Sequence, residues 1–101
     1  MQRTGILTAL RLNSRDNVAT ALRDLAAGSQ PVLDDGDCPE LLEKIGRGHK
    51  FALDSIARGD KVIKYGQIIG LATVDVEAGA HVHRHNLEGL AGQPERRERP
   101  S

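Results

Sequence analysis

The stretches SIARGDKV (55–62) and DVEAGAHV (75–82) carry the same pattern at an offset of 20 residues. Each reads as an apolar residue, two variable residues, a glycine, two variable residues and a second apolar residue. Glycine accepts the positive φ that a tight connection between short strands needs, and the flanking aliphatic side chains can point into a core. The repeat favours two similar β units packed around a pseudo-twofold axis, although three shared positions could also arise by chance.

Short β-like runs surround this repeat. Between residues 41 and 86 the chain contains LLEKIGRG, HKFAL, KVIKYG, QIIGLATVDV and HVHRHN, separated by glycines and turn residues. Each run is too short for a typical helix, so we expect a strand-rich second half. Near the N-terminus TGILTALRL (4–12) predicts a further strand, with the even-numbered residues 6 to 12 on one face.

One helix is predicted before these strands. In SRDNVATALRDLAAGS (14–29) the apolar residues recur at helical spacing and form one stripe, which consists of Val18, Ala21, Leu22 and Leu25. Ser14 or Asp16 could cap the N-terminus of this helix, and Gly28 could end it. The patterns together predict a mainly β fold with one α-helix.

The composition fits a single small domain. The chain has 101 residues, 14 basic residues balance 14 acidic ones, and Phe51 and Tyr65 are the only aromatic side chains, so nothing favours nucleic acid or an anionic membrane as a partner. A single cysteine, Cys38, excludes an internal disulfide, and no signal peptide or ~20-residue apolar span occurs. We expect a soluble cytoplasmic protein with a domain over residues 1–86 and a mobile tail or linker over residues 87–101.

Three of the four histidines alternate in GAHVHRHN (79–86). On an extended strand His81, His83 and His85 would share one face, with side chains ~7 Å apart at their bases, close enough for imidazoles to converge on one metal ion. The pattern is also compatible with a site for an anionic substrate, or with a solvated strand end that binds nothing. Each of these roles would depend on pH in the neutral range, because histidine titrates there.

Two further motifs could meet a ligand. In GRGHK (46–50) His49 and Lys50 follow a glycine turn, where main-chain and side-chain donors could bind a carboxylate or phosphate, although a plain charged turn is equally compatible. In KYG (64–66) Lys64 could act as a base if its pKa were altered, but exposed lysines usually only solvate a surface. No P-loop, dinucleotide fingerprint, G-x-S-x-G elbow or CxxC zinc pair occurs.

The motifs DNVATAL, GHKFAL, I..GD.V.KYG..IG.AT and G..VHRHN, in this order between residues 4 and 86, resemble the N-terminal domain of the altronate and galactarate dehydratase family. The resemblance implies a SAF-type β-clip fold, built from short strands with a pseudo-twofold repeat. It also implies a hydro-lyase that removes water from a sugar acid to give a 2-keto-3-deoxy acid, with a divalent metal, iron or manganese. Related two-subunit members include a sulfo-lyase that releases sulfite from sulfolactate.

The resemblance assigns the site residues position by position. It implies that His83 and His85 hold the metal, whereas His49, Lys50 and Asn86 bind the sugar-acid substrate. The catalytic residues themselves stay unassigned.

Two residues depart from the family pattern: His81 lies outside the motif, and Arg84 stands where the family commonly has threonine. Family members often join this module to a catalytic region of several hundred residues. The resemblance therefore implies a large catalytic partner subunit, or a fragment of a longer enzyme, and a chain that is inactive alone. The alternatives are a non-catalytic sugar-acid-binding or regulatory module and the small subunit of a sulfolactate sulfo-lyase, and assembly as a homo-oligomer is left open.

Overall fold

Seven short strands form two antiparallel sheets in the computed structural model, which describes residues 6–34 and 36–89. The strands are β1 (Ala9–Leu10), β2 (Val18–Ala21), β3 (Lys50–Ala52), β4 (Lys61–Lys64), β5 (Gln67–Ala72), β6 (His81–Val82) and β7 (Leu87–Gly89). The first sheet has the order β1-β2-β3-β6 and the second has the order β4-β5-β7. The mainly β class is confirmed, and the arrangement is consistent with a SAF-type fold.

The predicted helix is wrong, because the described part of the chain contains no α-helix. Residues 18–21 form β2, which pairs with β1 on one side and β3 on the other. Ala19 is buried although it lies off the helical stripe, and Leu22, on the stripe, is 42% exposed. Alanine favours a helix, whereas valine and threonine favour a strand, so local propensity does not decide, and pairing with two neighbouring strands outweighs the helical spacing.

Asp16 does not cap a helix either. Its carboxylate is buried and accepts hydrogen bonds from the N–H groups of Tyr65 (2.9 Å) and Gly66 (2.7 Å). Tyr65 and Gly66 form the tight turn between β4 and β5, and both have positive φ, 56° and 74°. A side chain near the N-terminus therefore holds a turn about 50 residues further along the chain.

The repeated glycine turn is confirmed as a pseudo-twofold pair. Ile56 and Val76 lie in an isolated antiparallel bridge, and each donates its N–H to the carbonyl of the other, at 2.8 and 2.7 Å. Gly59 and Gly79, three residues further on in each copy, have φ of 87° and 90°. These conformations favour glycine, as the sequence pattern implied.

A second pair of the same kind was not identified in the sequence. Leu25 and Ile45 exchange main-chain hydrogen bonds of 2.8 and 2.9 Å, and Gly28 and Gly48 follow them with φ of 85° and 83°. We call Leu25, Gly28, Ile45 and Gly48 the first clasp, and Ile56, Gly59, Val76 and Gly79 the second clasp. The fold thus uses one turn four times, in two reciprocal pairs.

A side-chain contact repeats with the clasps. Asp24 accepts a hydrogen bond from the N–H of Arg47 in the first clasp (2.9 Å), and Asp75 accepts one from the N–H of Arg58 in the second (2.8 Å). Each aspartate directly precedes an apolar bridge residue. The two clasps are therefore equivalent in these aspartate contacts as well as in their glycines, which supports the pseudo-twofold arrangement of the fold.

The core consists of two apolar clusters, with Phe51 as the largest fully buried side chain. The first cluster contains Ala9, Ala19, Ala21, Leu25, Leu33, Cys38, Leu41, Ile45, Phe51 and Leu53. The second cluster contains Val18, Ala52, Ile56, Val62, Ala72, Val76 and Val82. Each clasp contributes its bridge residues to one cluster, so the clasps fix the two halves of the core.

The two ends of the domain differ from what the sequence pattern predicts. In the first predicted strand Ile6 is 77% exposed and Leu12 is 59% exposed, while Ala9 is buried, so the face of even-numbered residues points outward at both ends. At the other end, β7 follows the predicted boundary at residue 86 and pairs with β5. The rest of the predicted tail, residues 90–101, lies outside the described residues.

Candidate functional site

Pairing of β3 with β6 brings distant histidines together. The register sets Phe51 opposite His81 and Lys50 opposite Val82. Because the strands are antiparallel, the same register continued by one residue sets His49 opposite His83. The rings of these two histidines lie with their centroids 4.8 Å apart.

Three imidazoles form a compact group that we call the histidine cluster, His49, His81 and His83. One ring nitrogen of each lies within 4.8 Å of the other two. Nδ1 of His49 is 2.9 Å from Nε2 of His81, which is hydrogen-bonding distance. The rings of His81 and His83 stack with centroids 5.4 Å apart and planes 11° from parallel.

The geometry and the donor set fit a divalent metal ion. In a tetrahedral site with metal–nitrogen bonds of 2.0–2.1 Å the ligand nitrogens lie about 3.4 Å apart, so modest side-chain rotation would bring these nitrogens into range. Three imidazole ligands also leave a coordination position free, as catalytic sites require. Imidazole nitrogens suit zinc, iron and related transition metals.

His85 lies at the edge of this cluster. Strand β6 ends at Val82 and residues 83–86 form a turn, so the alternation expected of an extended strand does not continue to His85. Its exposed side chain has its ring 5.3 Å from the ring of His81, and it is not among the three residues whose nitrogens converge. The assignment of a metal to His83 and His85 stays a prediction.

His81 was set aside on the family pattern, yet the structure places it in the cluster. The signal that could have retained it is the plain alternation of His81 with His83. What the sequence could not supply was the pairing with His49, which is 32 residues away in the chain.

The surroundings of the cluster favour neutral imidazoles. Burial lowers the pKa of His81 and His83 below the usual value, and the neighbouring His49 lowers both further. The neutral form of histidine is the one that binds metal, so a lowered pKa keeps the ligands available at neutral pH.

Lys50 lies beside the histidine cluster on β3. Its side chain is half-buried, and burial lowers its pKa, with a smaller contribution from the positive charge of Lys64. Lys50 and Arg84 are among the positive charges that lower the pKa of His83, after burial and the neighbouring His49. Lys64 itself lies with Nζ 4.7 Å from the centroid of the Tyr65 ring.

Asn86 is buried, and its side chain contacts main-chain atoms of the histidine segment. Its Oδ1 accepts a hydrogen bond from the N–H of His83 (2.9 Å), and its Nδ2 donates one to the carbonyl of His81 (2.8 Å). The N–H of His81 donates to a carboxylate oxygen of Glu43 at 3.0 Å. Substrate binding by Asn86 stays a prediction, and so does substrate binding by His49 and Lys50.

Cys38 takes no part in this site. It is buried in the first core cluster, and burial raises the pKa of its thiol to about 11. At pH 8 roughly one thiol in a thousand is then ionised, so we expect the folded chain to react with a disulfide reagent such as DTNB at least about 100-fold more slowly than the chain in guanidinium chloride. Equal rates in the two solvents, followed by absorbance, would contradict the buried placement.

The described residues include no helix that is long and apolar enough to cross a membrane.

The sequence profile of the altronate/galactarate dehydratase SAF domain matches residues 7–90. Altronate dehydratase of Escherichia coli (strain K12) is 51% identical over 77 residues, which are 76% of this chain and 15% of that protein. Altronate dehydratase of Bacillus subtilis (strain 168) is 42% identical over 79 residues, 78% of this chain and 16% of that protein.

A shorter relative covers part of the same region. The (2R)-sulfolactate sulfo-lyase subunit alpha of Paracoccus pantotrophus is 54% identical over 41 residues, which are 41% of this chain and 61% of that subunit. The chain therefore spans less than one sixth of the length of the E. coli dehydratase and under two thirds of the sulfo-lyase subunit.

Proposed function

The chain belongs to the altronate/galactarate dehydratase SAF domain family, and we propose that it is the small component of a lyase that removes water from a sugar acid of the altronate or galactarate type. The larger catalytic part would be a partner subunit or a further region of the same protein. On this proposal the chain alone has no turnover, and its role is to complete a site at the junction with that catalytic part.

The convergence of three imidazoles carries the proposal. His49, His81 and His83 would hold a divalent metal, iron or manganese, through the nitrogens that lie within 4.8 Å of one another. When bound, such a metal supplies a Lewis acid that helps a hydroxyl group leave. The chain itself contributes three imidazoles on or directly beside two paired strands, which keeps the ligand set in place before any substrate binds.

Cationic side chains beside the cluster suit the carboxylate of a sugar acid. Lys50 is half-buried, and a charge-assisted hydrogen bond from its ammonium group to a carboxylate would offset part of the cost of that burial. His85, exposed beside His81, would remain free to contact substrate or the catalytic part.

A second candidate is the small subunit of a sulfolactate sulfo-lyase. The relative from Paracoccus pantotrophus supports it, and so does the extra cation of Arg84 near His83, because sulfolactate carries a carboxylate and a sulfonate. The two candidates share one site and differ in the leaving group, water in the first and sulfite in the second.

A chimera tests the proposal directly. We expect that this chain, replacing the matching segment of the E. coli altronate dehydratase, supports dehydration of altronate, and that His49→Ala or His83→Ala lowers kcat/KM by roughly 100-fold through loss of a metal ligand. The measurement is formation of the 2-keto acid as its semicarbazone, together with the metal content of each purified chimera.

The controls separate the candidate ligand sets. His81→Ala should lower metal content as much as His83→Ala, whereas His85→Ala should leave it unchanged. If His85→Ala lowered the metal content and His81→Ala did not, the metal ligands would be His83 and His85. Full activity in every histidine variant would refute a role for the cluster. Sulfite release from (2R)-sulfolactate, without dehydration of altronate, would favour the second candidate.

A further inference from the structure

The Asn86 side chain closes the histidine segment into a fixed loop. It is 6% exposed, and its amide bonds the carbonyl of His81 and the N–H of His83 at once. The main-chain N–H of Asn86 donates to the carbonyl of His83 as well, at 3.1 Å. We call this arrangement the asparagine bracket of residues 81 and 83.

The same bracket occurs a second time in the fold. Asn17 donates from Nδ2 to the carbonyl of Lys61 (2.9 Å) and accepts at Oδ1 from the N–H of Ile63 (2.8 Å). Residues 61 and 63 precede residues 81 and 83 by 20 positions, which is the offset of the repeated glycine turn. Asn17 and Asn86 are therefore equivalent under the pseudo-twofold symmetry.

Main-chain bonds support this equivalence. The N–H of Leu53 donates to the carbonyl of Asn17 at 2.8 Å, and the N–H of Thr73 donates to the carbonyl of Asn86 at 3.0 Å. Leu53 and Thr73 are again 20 positions apart. The two brackets thus share side-chain bonds, main-chain bonds and position in the repeat.

The brackets differ in what they hold. The Asn17 bracket fixes part of strand β4, which also pairs with β5 over its length. The Asn86 bracket fixes His81 and His83, and β6 pairs with β3 only through His81 and Val82. The main chain of His83 therefore lies beyond the ladder, and Asn86 accepts its N–H in place of a strand partner.

We propose that Asn86 is a positioning residue of the histidine cluster, which sets the separation of His81 and His83 and so raises the affinity of the cluster for a divalent metal. The positioning role of Asn86 rests on the proposed function in one respect only, namely that the ligand of the histidine cluster is a divalent metal. Hydrogen-bond partners that orient metal ligands are typically worth 10–100-fold in metal affinity. Asn17 provides a control of the same residue type, with the same bonds, at a place that holds no histidine.

The test compares Asn86→Ala with Asn17→Ala in the full chain, titrated with Co²⁺ alone and followed by visible absorption. Asn86→Ala should weaken Co²⁺ binding at least about tenfold, while Asn17→Ala should stay within about twofold of the unsubstituted chain. Equal affinities in all three chains, or an equal loss in both variants, would overturn the proposal. If an alanine variant does not fold, the pair Asn86→Ser and Asn17→Ser takes its place.

A second measurement needs no metal. In the metal-free chain, NMR should show contacts between the rings of His49 and His81, and Asn86→Ala should remove them while Asn17→Ala keeps them. Retention of these contacts in Asn86→Ala would overturn the positioning role. An unsubstituted chain that shows the ring contacts but binds no Co²⁺ would instead refute the metal site of the proposed function, and the ring contacts in the two variants would still decide the role of Asn86.

Discussion

Gly79→Ala should lower the free energy of unfolding by about 2–5 kcal/mol. Its φ of 90° is one that L-residues avoid at a cost of about 1–2 kcal/mol. In addition, an added Cβ would lie 2.2 Å from the carbonyl oxygen of Glu40, a main-chain atom that cannot swing aside. Forcing the two segments apart costs about 1–3 kcal/mol more, by analogy with overpacked cores. Because a domain of this size has a total stability of roughly 5–15 kcal/mol, the loss is a large fraction of it.

Gly59→Ala is the matched control. Gly59 is the residue equivalent to Gly79 within the same clasp, with φ of 87°, but no heavy atom lies within 4 Å of its added Cβ. We therefore expect only the conformational cost of about 1–2 kcal/mol. Far-UV circular dichroism in a urea titration suits both variants, since the chain lacks tryptophan. Equal losses in the two variants would mean that contact with Glu40 has no energetic weight.

The contrast between these two glycines shows how far the sequence predicts the fold. The repeat at residues 56 and 76 follows from local spacing, because apolar residues and glycine recur at fixed intervals. The first clasp has the same spacing at Leu25 and Ile45, but helical periodicity accounts equally well for the segment before Gly28. The close contact of Gly79 with the main chain of Glu40 depends on which segments pack together. The spacing of residues along the sequence carries no information on that packing.

The histidine cluster illustrates the same limit at the site. Alternation correctly indicated that His81 and His83 lie near each other, and the glycine turn before His49 marked that histidine as a candidate. Their association depends on the pairing of β3 with β6, a contact between strands about 30 residues apart. The alternation of histidines also gives no sign that β6 ends at Val82, where residues 83–86 form a turn that the Asn86 side chain closes by accepting the N–H of His83.

Asp16→Ala should lower the free energy of unfolding by about 3–4 kcal/mol, because one buried carboxylate serves several main-chain donors. It accepts from the N–H groups of Tyr65 and Gly66, and from that of Asn13 at 3.3 Å. Hydrogen bonds to a charged group are worth about 1.5–3 kcal/mol each, and removal of the acceptor leaves the donors of the turn without their partner. Tyr65 has a φ of 56°, so the turn is also conformationally strained and depends on this acceptor.

Asp75→Ala provides the comparison, since Asp75 is an exposed aspartate that accepts one main-chain hydrogen bond, from Arg58. Its loss should cost about 1 kcal/mol or less. Asp16→Asn should fall between the two, because the amide keeps one acceptor oxygen but turns an NH₂ group toward the second donor. Urea denaturation measures all three, and hydrogen exchange of the Gly66 amide locates the effect: it should accelerate in Asp16→Ala and not in Asp75→Ala. A stable Asp16→Ala with a protected Gly66 amide would show that the β4–β5 hairpin holds its own turn, and that the buried carboxylate is not what joins the N-terminal segment to the second sheet.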